Sequence, residues 1–247
     1  MPEPPADPAS GARVWVVLPT FNEAENIERL APAVLERLPE SHRVLIVDDD
    51  SPDGTGRIAD RIADEHDDVS VLHRVRKEGL GPAYIAGFRE ALAGGAELVI
   101  EMDADFSHDP AYLPLMLRAS ETADLVLGSR YVPGGGVTEW GAVRRLISRA
   151  GSAYARRTLG VDVRDLTGGF KCIRREVLEA IDLDTIDSKG YAFQVEVTYR
   201  AIRAGFRVTE VPIVFRDRRD GNSKMSRAIV AEAVWRVPAM RLRRRRF

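Results

Sequence analysis

The chain is short of cysteine. Cys172 is the only one in 247 residues, which rules out an internal disulfide and a cysteine-based zinc site. A lone thiol usually behaves as a small hydrophobe, so Cys172 is assigned to the core. A reducing, intracellular setting fits this usage. Excess charge of one sign is also lacking: 36 basic and 38 acidic residues leave a formal net charge of −2. Nothing in that balance argues for nucleic acid. No apolar run approaches the ~18 residues of a membrane span. Residues 1–12 hold four prolines and no apolar centre, so they read as a disordered tail and not as a signal peptide. A Gly-rich phosphate loop is missing after the first apolar run, where Pro19-Thr20-Phe21-Asn22-Glu23 stands instead. That argues against a nucleotidyltransferase on a similar sheet.

What the chain does have is alternation. Residues 14–18, 44–47, 69–72, 98–102 and 125–127 are short apolar runs suited to buried strands. Helical segments separate them. Ile27, Leu30, Val34, Leu35 and Leu38 line the first, Ile58 and Ile62 the second, Tyr84, Phe88 and Leu92 the third, and Leu113, Met116 and Leu117 the fourth. This rhythm predicts an α/β fold, Rossmann-like, with a mostly parallel central sheet and helices on both faces.

The rhythm changes after residue 130. A helix over 142–159 carries Val143, Leu146, Ile147, Ala150 and Tyr154 as its apolar stripe. Arg144, Arg145, Arg149, Arg156 and Arg157 lie on its other face, either as ordinary solvated charge or, for one or two, facing an anionic substrate or membrane. Residues 133–140, Gly-rich and ending in Trp140, read as a mobile surface loop or as a lipid-side flap. A short strand includes Cys172, a helix spans 190–204, and residues 208–215 form an edge strand interrupted by Pro212.

The stretch 97–110 organises the rest. Its apolar run ends in two carboxylates one residue apart, Asp103 and Asp105. Asp109-Pro110 then has the form of a helix start, with Asp109 as N-cap. Both aspartates therefore sit past the carboxyl end of a central strand, where open α/β sheets bind ligands. Two hard oxygen donors there suit Mg²⁺ or Mn²⁺ and, through it, a diphosphate. A solvated Asp-rich turn is the alternative.

Four motifs stand in order: Val17-Leu18-Pro19-Thr20-Phe21-Asn22-Glu23, Val47-Asp48-Asp49-Asp50-Ser51-Pro52-Asp53-Gly54-Thr55, Met102-Asp103-Ala104-Asp105-Phe106-Ser107-His108, and Gly128-Ser129-Arg130-Tyr131. Together they resemble inverting glycosyltransferase family 2, whose members have a single nucleotide-sugar-binding fold of the glycosyltransferase A type. Residues 165–170, 188–196 and 215–225 narrow the resemblance to the polyprenol monophosphomannose synthases, the dolichyl-phosphate mannosyltransferase-like group. The Gln-x-x-Arg-Trp motif of processive members is absent, which argues against a polymerase.

The resemblance implies roles position by position. Pro19, Phe21 and Glu23 would contact the nucleotide, with Phe21 standing where tyrosine is common. Val47 and Asp49 would hold base and ribose. Asp103, Ala104 and Asp105 would form the metal and diphosphate site, Asp105 foremost. Ser107 stands where some relatives carry a longer Gln that reaches the metal. Arg130 would lie near the phosphates. Arg218 and Lys224 would belong to a loop closing over the diphosphate.

The implied reaction passes mannose from GDP-mannose to a polyprenyl (dolichyl-type) phosphate with inversion. Asp105, Arg130, Arg218 and Lys224 form the expected catalytic set. The acceptor is a phosphate monoester with a second pKa of about 6, so it needs no general base. Arg130 and Arg144 are the candidates to bind it, because guanidinium groups fork onto phosphate oxygens. The expected division is a tail at 1–12, a catalytic domain at 13–226, and an apolar helix with an Arg-rich end at 227–247. That end reads as an interfacial anchor or a solvated basic terminus. The expected location is peripheral, on the cytoplasmic face of a membrane, with a membrane-spanning partner protein as an option. Two alternatives are a UDP-sugar-dependent polyprenyl-phosphate glucosyltransferase and a non-catalytic nucleotide-binding subunit.

Overall fold

The structure, a computed structural model, describes residues 13–188, 190–216 and 227–242. Strands β1 (Val14–Thr20), β2 (His42–Asp48), β3 (Val69–His73), β4 (Leu98–Glu101) and β5 (Leu125–Ser129) form where the short apolar runs stand. Helices α1 (Ala24–Leu35), α2 (Thr55–Glu65), α3 (Leu80–Ala93) and α4 (Leu113–Ala119) connect them in turn. A two-residue strand β6 (Gly136–Val137), helix α5 (Ala142–Leu159), strand β7 (Lys171–Arg174) and helices α6 (Arg175–Ala180) and α7 (Gly190–Arg203) follow. Strands β8 (Val208–Pro212) and β9 (Val214–Phe215) and helix α8 (Arg227–Leu242) complete the described chain.

Seven strands make one sheet in the order β3-β2-β1-β4-β7-β5-β8. All neighbours are parallel except β7, which runs antiparallel to both β4 and β5. Strand side chains alternate between two cores. Val14, Val16, Leu18, Ile100 and Cys172 pack with α1, α2 and α4 on one face. Trp15, Val17, Val47, Val99 and Ile173 pack with α3, α5, α6, α7 and α8 on the other. Gly87 lets α3 lie close on the sheet: a Cβ there would collide with the Val17 side chain.

Strand order reverses at β1, with β2 on one side and β4 on the other. The crevice past the carboxyl ends of β1 and β4 is therefore the topological switch point. Asp103 and Asp105 follow β4 into it, and the 20–23 loop follows β1.

Three expectations are refined. The last strand is split, because Ile213 leaves the main sheet and Val214–Phe215 pairs with β6 instead. Helix α8 is part of the domain: Val237 and Met240 are buried in the main core. The apolar stripe of α5 faces away from the protein, with Val143 71% and Leu146 69% exposed. Its buried side is Ser152, Ala155 and Leu159.

Candidate active site

The first wall is a stitched pair of loops. Thr20 donates to Asp48 (3.0 Å), whose carboxylate also accepts from the Ser51 hydroxyl (2.6 Å) and N–H (3.1 Å). The Ser51 hydroxyl in turn accepts from Asn22 N–H (3.1 Å), and Thr55 accepts from Glu23 N–H (3.0 Å). Asp53 accepts from both Thr55 groups and from Ala24 N–H. Burial raises the Asp53 carboxyl, but these hydrogen bonds outweigh it and hold it below its ordinary value. The Ser-Pro-Asp-Gly-Thr motif is thus the clamp that shapes the β1 loop.

Asp49 is buried and pairs with Arg74, which follows β3. Lys77, from the same loop, sits 3.5 Å over the Phe21 ring. Both basic residues escaped the sequence reading, because they lie in a charged loop without a recognisable motif. Val47 is wholly buried in the core, with β1 and β3 on its two sides, so it has no surface for base or ribose; Asp49, two residues on, is the position nearer the crevice. Pro19 and Glu23 are partly exposed at the crevice.

The floor is the Asp103–His108 turn. Tyr84, fully buried on α3, donates to Asp103 Oδ1 (3.0 Å). Burial and the nearby Asp103 push the Tyr84 hydroxyl well above its usual range, so it stays a donor. His108 Nδ1 accepts the Asp103 N–H (3.0 Å), and burial keeps the imidazole below its usual value and neutral. Asp105 is buried and accepts from Ser107 N–H (3.0 Å). Ala104 is buried between the two aspartates. The Ser107 hydroxyl is buried with no hydrogen-bond partner among the described residues.

Backbone strain collects here. Asn22 (φ 58°), Asp50 (φ 59°) and Phe106 (φ 59°) are left-handed, one in each loop after β1, β2 and β4. For Phe106 that conformation costs on the order of 1 kcal/mol and persists only where the surroundings impose it.

Beneath the aspartates, Glu101 and Lys171 are fully buried with Nζ 3.2 Å from Oε2. Gln194 of α7 closes the triangle, accepting from Lys171 and donating to Glu101. Burial drives Glu101 up to about 7 and Lys171 below its usual value, each against the attraction of the other.

The third wall centres on Arg130. It is buried, and Nε and Nη2 reach the two Asp165 oxygens at 2.7 Å each. Its own N–H also binds Asp165 (2.9 Å), and Nη2 reaches Thr167 (2.9 Å). Three rings surround the guanidinium: Tyr131 at 5.3 Å, Phe215 at 5.5 Å and Trp140 at 5.6 Å. Arg144 lies 4.2 Å from the Trp140 ring centre. Arg130 and Arg144 therefore both contact one indole. While residues 133, 134, 138 and 139 of the loop before it lie at the surface, Trp140 is buried, its edge against Phe215 and beside the two arginines. Gly135 makes this possible, since a Cβ there would come 2.5 Å from Ser129 O. Phe215 also meets His108 edge-on at 5.6 Å, joining the Arg130 cage to the aspartate turn.

Asp103, Asp105 and the Ser107 hydroxyl gather hard oxygens at one turn. Among the described residues, no group of three or more His, Cys, Asp or Glu side chains is placed to hold a metal. Two carboxylates completed by phosphate oxygens and water form a site for a hard divalent cation, so the residues fit one. Arg218 and Lys224 lie outside the described residues. The chain before them ends beside the turn, with Arg216 N–H 3.4 Å from Ser107 O. No described helix is long and apolar enough to cross a membrane.

The chain matches the family described as Glycosyl transferase family 2 over residues 15–182. It is 52% identical over 225 residues to undecaprenyl-phosphate mannosyltransferase of Micrococcus luteus, covering 91% of this chain and 92% of that protein. It is 47% identical over 245 residues to polyprenol monophosphomannose synthase of Mycolicibacterium smegmatis, covering 98% and 92%. Its fold is similar to that of glucosyl-3-phosphoglycerate synthase from Mycobacterium tuberculosis, solved with Mn²⁺, UDP and phosphoglyceric acid. That match has a TM-score of 0.68 at 23% identity, covering 93% of this chain and 80% of that one, and bears on the fold alone. With the family matched from the first strand to beyond α6, and two near-full-length relatives, the chain belongs to glycosyl transferase family 2.

Proposed function

We propose that the protein transfers mannose from GDP-mannose to a polyprenyl phosphate, inverting the anomeric centre and releasing GDP. The observation that carries this reading is near-full-length identity to two proteins named for mannosyl transfer to polyprenyl phosphates. The site supplies complementary chemistry. An acceptor phosphate oxygen attacks the anomeric carbon, and the bond from that carbon to the diphosphate oxygen breaks. The acceptor is already anionic near neutral pH, so no side chain need take a proton from it.

In this proposal, Asp103 and Asp105 hold the divalent cation, Mg²⁺ or Mn²⁺. When bound, the cation offsets charge on the diphosphate leaving group. Tyr84 and Ser107 N–H fix the two carboxylates before substrate arrives. Arg130 and Arg144 receive the acceptor phosphate, and their ring-lined surroundings strengthen each charge–charge contact. Pro19, Phe21, Glu23 and Asp49 border the nucleotide. Arg218 and Lys224 complete the cover over its phosphates. A lipid acceptor requires the protein to work at a membrane surface; the placement proposed is peripheral and on the cytoplasmic side, alone or with a spanning partner. The Arg-rich end at 243–246 would add attraction to anionic headgroups.

Competition binding tests the donor. GDP should displace a labelled GDP-mannose analogue at much lower concentration than UDP. The reverse order would move the protein to the UDP-sugar alternative while leaving the site intact.

A further inference from the structure

Past Glu101 strand β4 leaves the sheet. Its ladders with β1 and β7 stop at that residue, and Met102 N–H makes one last reach to Val17 O at 3.3 Å. Asp103 comes next, carrying one of the two carboxylates of the turn. Its N–H finds a side chain in place of a strand: His108 Nδ1, 3.0 Å away. The chain doubles back to make that bond, with Phe106 in the left-handed region at φ 59°. Because Nδ1 accepts, the proton of the neutral ring sits on Nε2.

The imidazole is itself held. It is buried, and its face stacks on Phe170, with ring centres 4.9 Å apart and planes 14° from parallel. Phe215 meets it at 5.6 Å and 77°. Stacking explains an aromatic ring at this position but not a nitrogen in it. Phenylalanine would serve a buried stack, whereas a polar ring loses hydration when it is buried.

The nitrogen is explained by Asp103. A main-chain N–H leaving a buried strand needs an acceptor, and a ring wedged against two others supplies one at a fixed place. The Asp103 carboxylate is held separately, its Oδ1 accepting from Tyr84 at 3.0 Å. Main chain and side chain of one aspartate are thus fixed by two buried rings, one from α3 and one from the far end of the turn.

We propose that His108 is a positioning residue of the cation site: through Nδ1 it fixes the Asp103 main chain, and with it the carboxylate that binds the divalent cation together with Asp105. Groups that orient metal ligands from behind commonly change metal affinity by about 10- to 100-fold when removed. This role rests on the cation site proposed above.

Two substitutions separate it from packing. His108→Phe keeps a ring against Phe170 and removes the acceptor. His108→Asn does the reverse, because its side-chain oxygen stands close to where Nδ1 stood. The full-length protein is titrated with Mn²⁺ in the presence of GDP, free Mn²⁺ is followed by electron paramagnetic resonance, and urea midpoints are measured alongside. His108→Phe should bind Mn²⁺ about tenfold more weakly than wild type or worse, while His108→Asn should stay within about threefold. The urea midpoint should fall further in His108→Asn, so affinity and stability move in opposite order. Nitrogen NMR of the wild-type protein, which needs no variant, should find the proton of His108 on Nε2 and none on Nδ1. Undiminished Mn²⁺ affinity in His108→Phe, equal loss in both variants, or a proton on Nδ1 would each overturn the proposal. Failure of the wild-type protein to bind Mn²⁺ would remove the cation site and this role with it. If Mn²⁺ binding follows the prediction but no mannose reaches any acceptor, His108 keeps its role and the functional reading falls.

Discussion

Arg130 and Asp165 form a buried, two-pronged ion pair, with both guanidinium–carboxylate bonds at 2.7 Å. Asp165 also takes the Arg130 main-chain N–H and is itself oriented from below, its own N–H donating to Glu210 at 2.9 Å. A guanidinium held at both prongs and ringed by Tyr131, Trp140 and Phe215 cannot wander. Asp165→Asn removes the charge but keeps the shape. It leaves Arg130 buried without its counter-ion, so stability should fall by about 3 kcal/mol. Turnover should fall on the order of 10²-fold through misplacement of Arg130. Urea midpoints and steady-state rates measure both, and a variant matching wild type in each would remove Asp165 from this role.

The same pair gives acid sensitivity of a definite sign. Burial raises the Asp165 carboxyl, but the Arg130 charge and hydrogen bonds outweigh it and hold it below its ordinary 3.8. Below that pH the unfolded chain binds a proton that the folded one refuses. The contribution is therefore complete above about pH 3.9 and fades as pH falls through the folded value. Stability measured between pH 5 and pH 3 should drop more steeply in wild type than in Asp165→Asn. Parallel curves would contradict the linkage.

Glu101 and Lys171 make a second buried pair beneath Asp103. Because burial penalises both charges, removing one partner should cost about 3–5 kcal/mol, and removing both should cost much less than the sum. A cycle of Lys171→Met, Glu101→Gln and the double variant measures this coupling. Simple additivity would mean that the triangle with Gln194 does not act as a unit.

Cys172 sits at 1% exposure on β7, and burial pushes its thiol up to about 12. Native protein at pH 8 should resist alkylation and keep full activity in the reagent, reacting only once unfolded. Rapid stoichiometric labelling of active enzyme would place the thiol elsewhere.

Much of this was legible in the sequence. The strand-and-helix alternation located β1 to β5 because buried parallel strands are short unbroken apolar runs, and Asp109-Pro110 marked the end of the aspartate turn, where Asp109 accepts from Ala111 N–H at 2.9 Å. Cys172 was placed correctly in a core strand. What could not be seen was long-range pairing. Nothing local to Lys171 points to Glu101, seventy positions away in the sequence, and nothing in residues 171–174 says that β7 slips antiparallel between β4 and β5. Arg74 and Lys77 were passed over because their partners, Asp49 and Phe21, follow other strands. The burial of Trp140 was not visible either, because its partners Phe215 and Arg130 come from other segments and only Gly135 of its loop is pressed against the Ser129 and Arg130 main chain. The α5 stripe has helical periodicity, and periodicity cannot tell an inward apolar face from an outward one.

Metal-dependent mannosyl transfer to a lipid phosphate, as proposed, depends on Asp105. The most direct measurement follows labelled mannose from GDP-mannose into an organic-extractable product with a short-chain polyprenyl phosphate, with and without Mg²⁺. Wild type should form that product only with the divalent cation. Asp105→Asn, folded by circular dichroism, should lose at least about 10³-fold in rate, as for removal of a group that offsets developing charge. Near-normal transfer by that variant, or product formed in the presence of a chelator, would contradict the account.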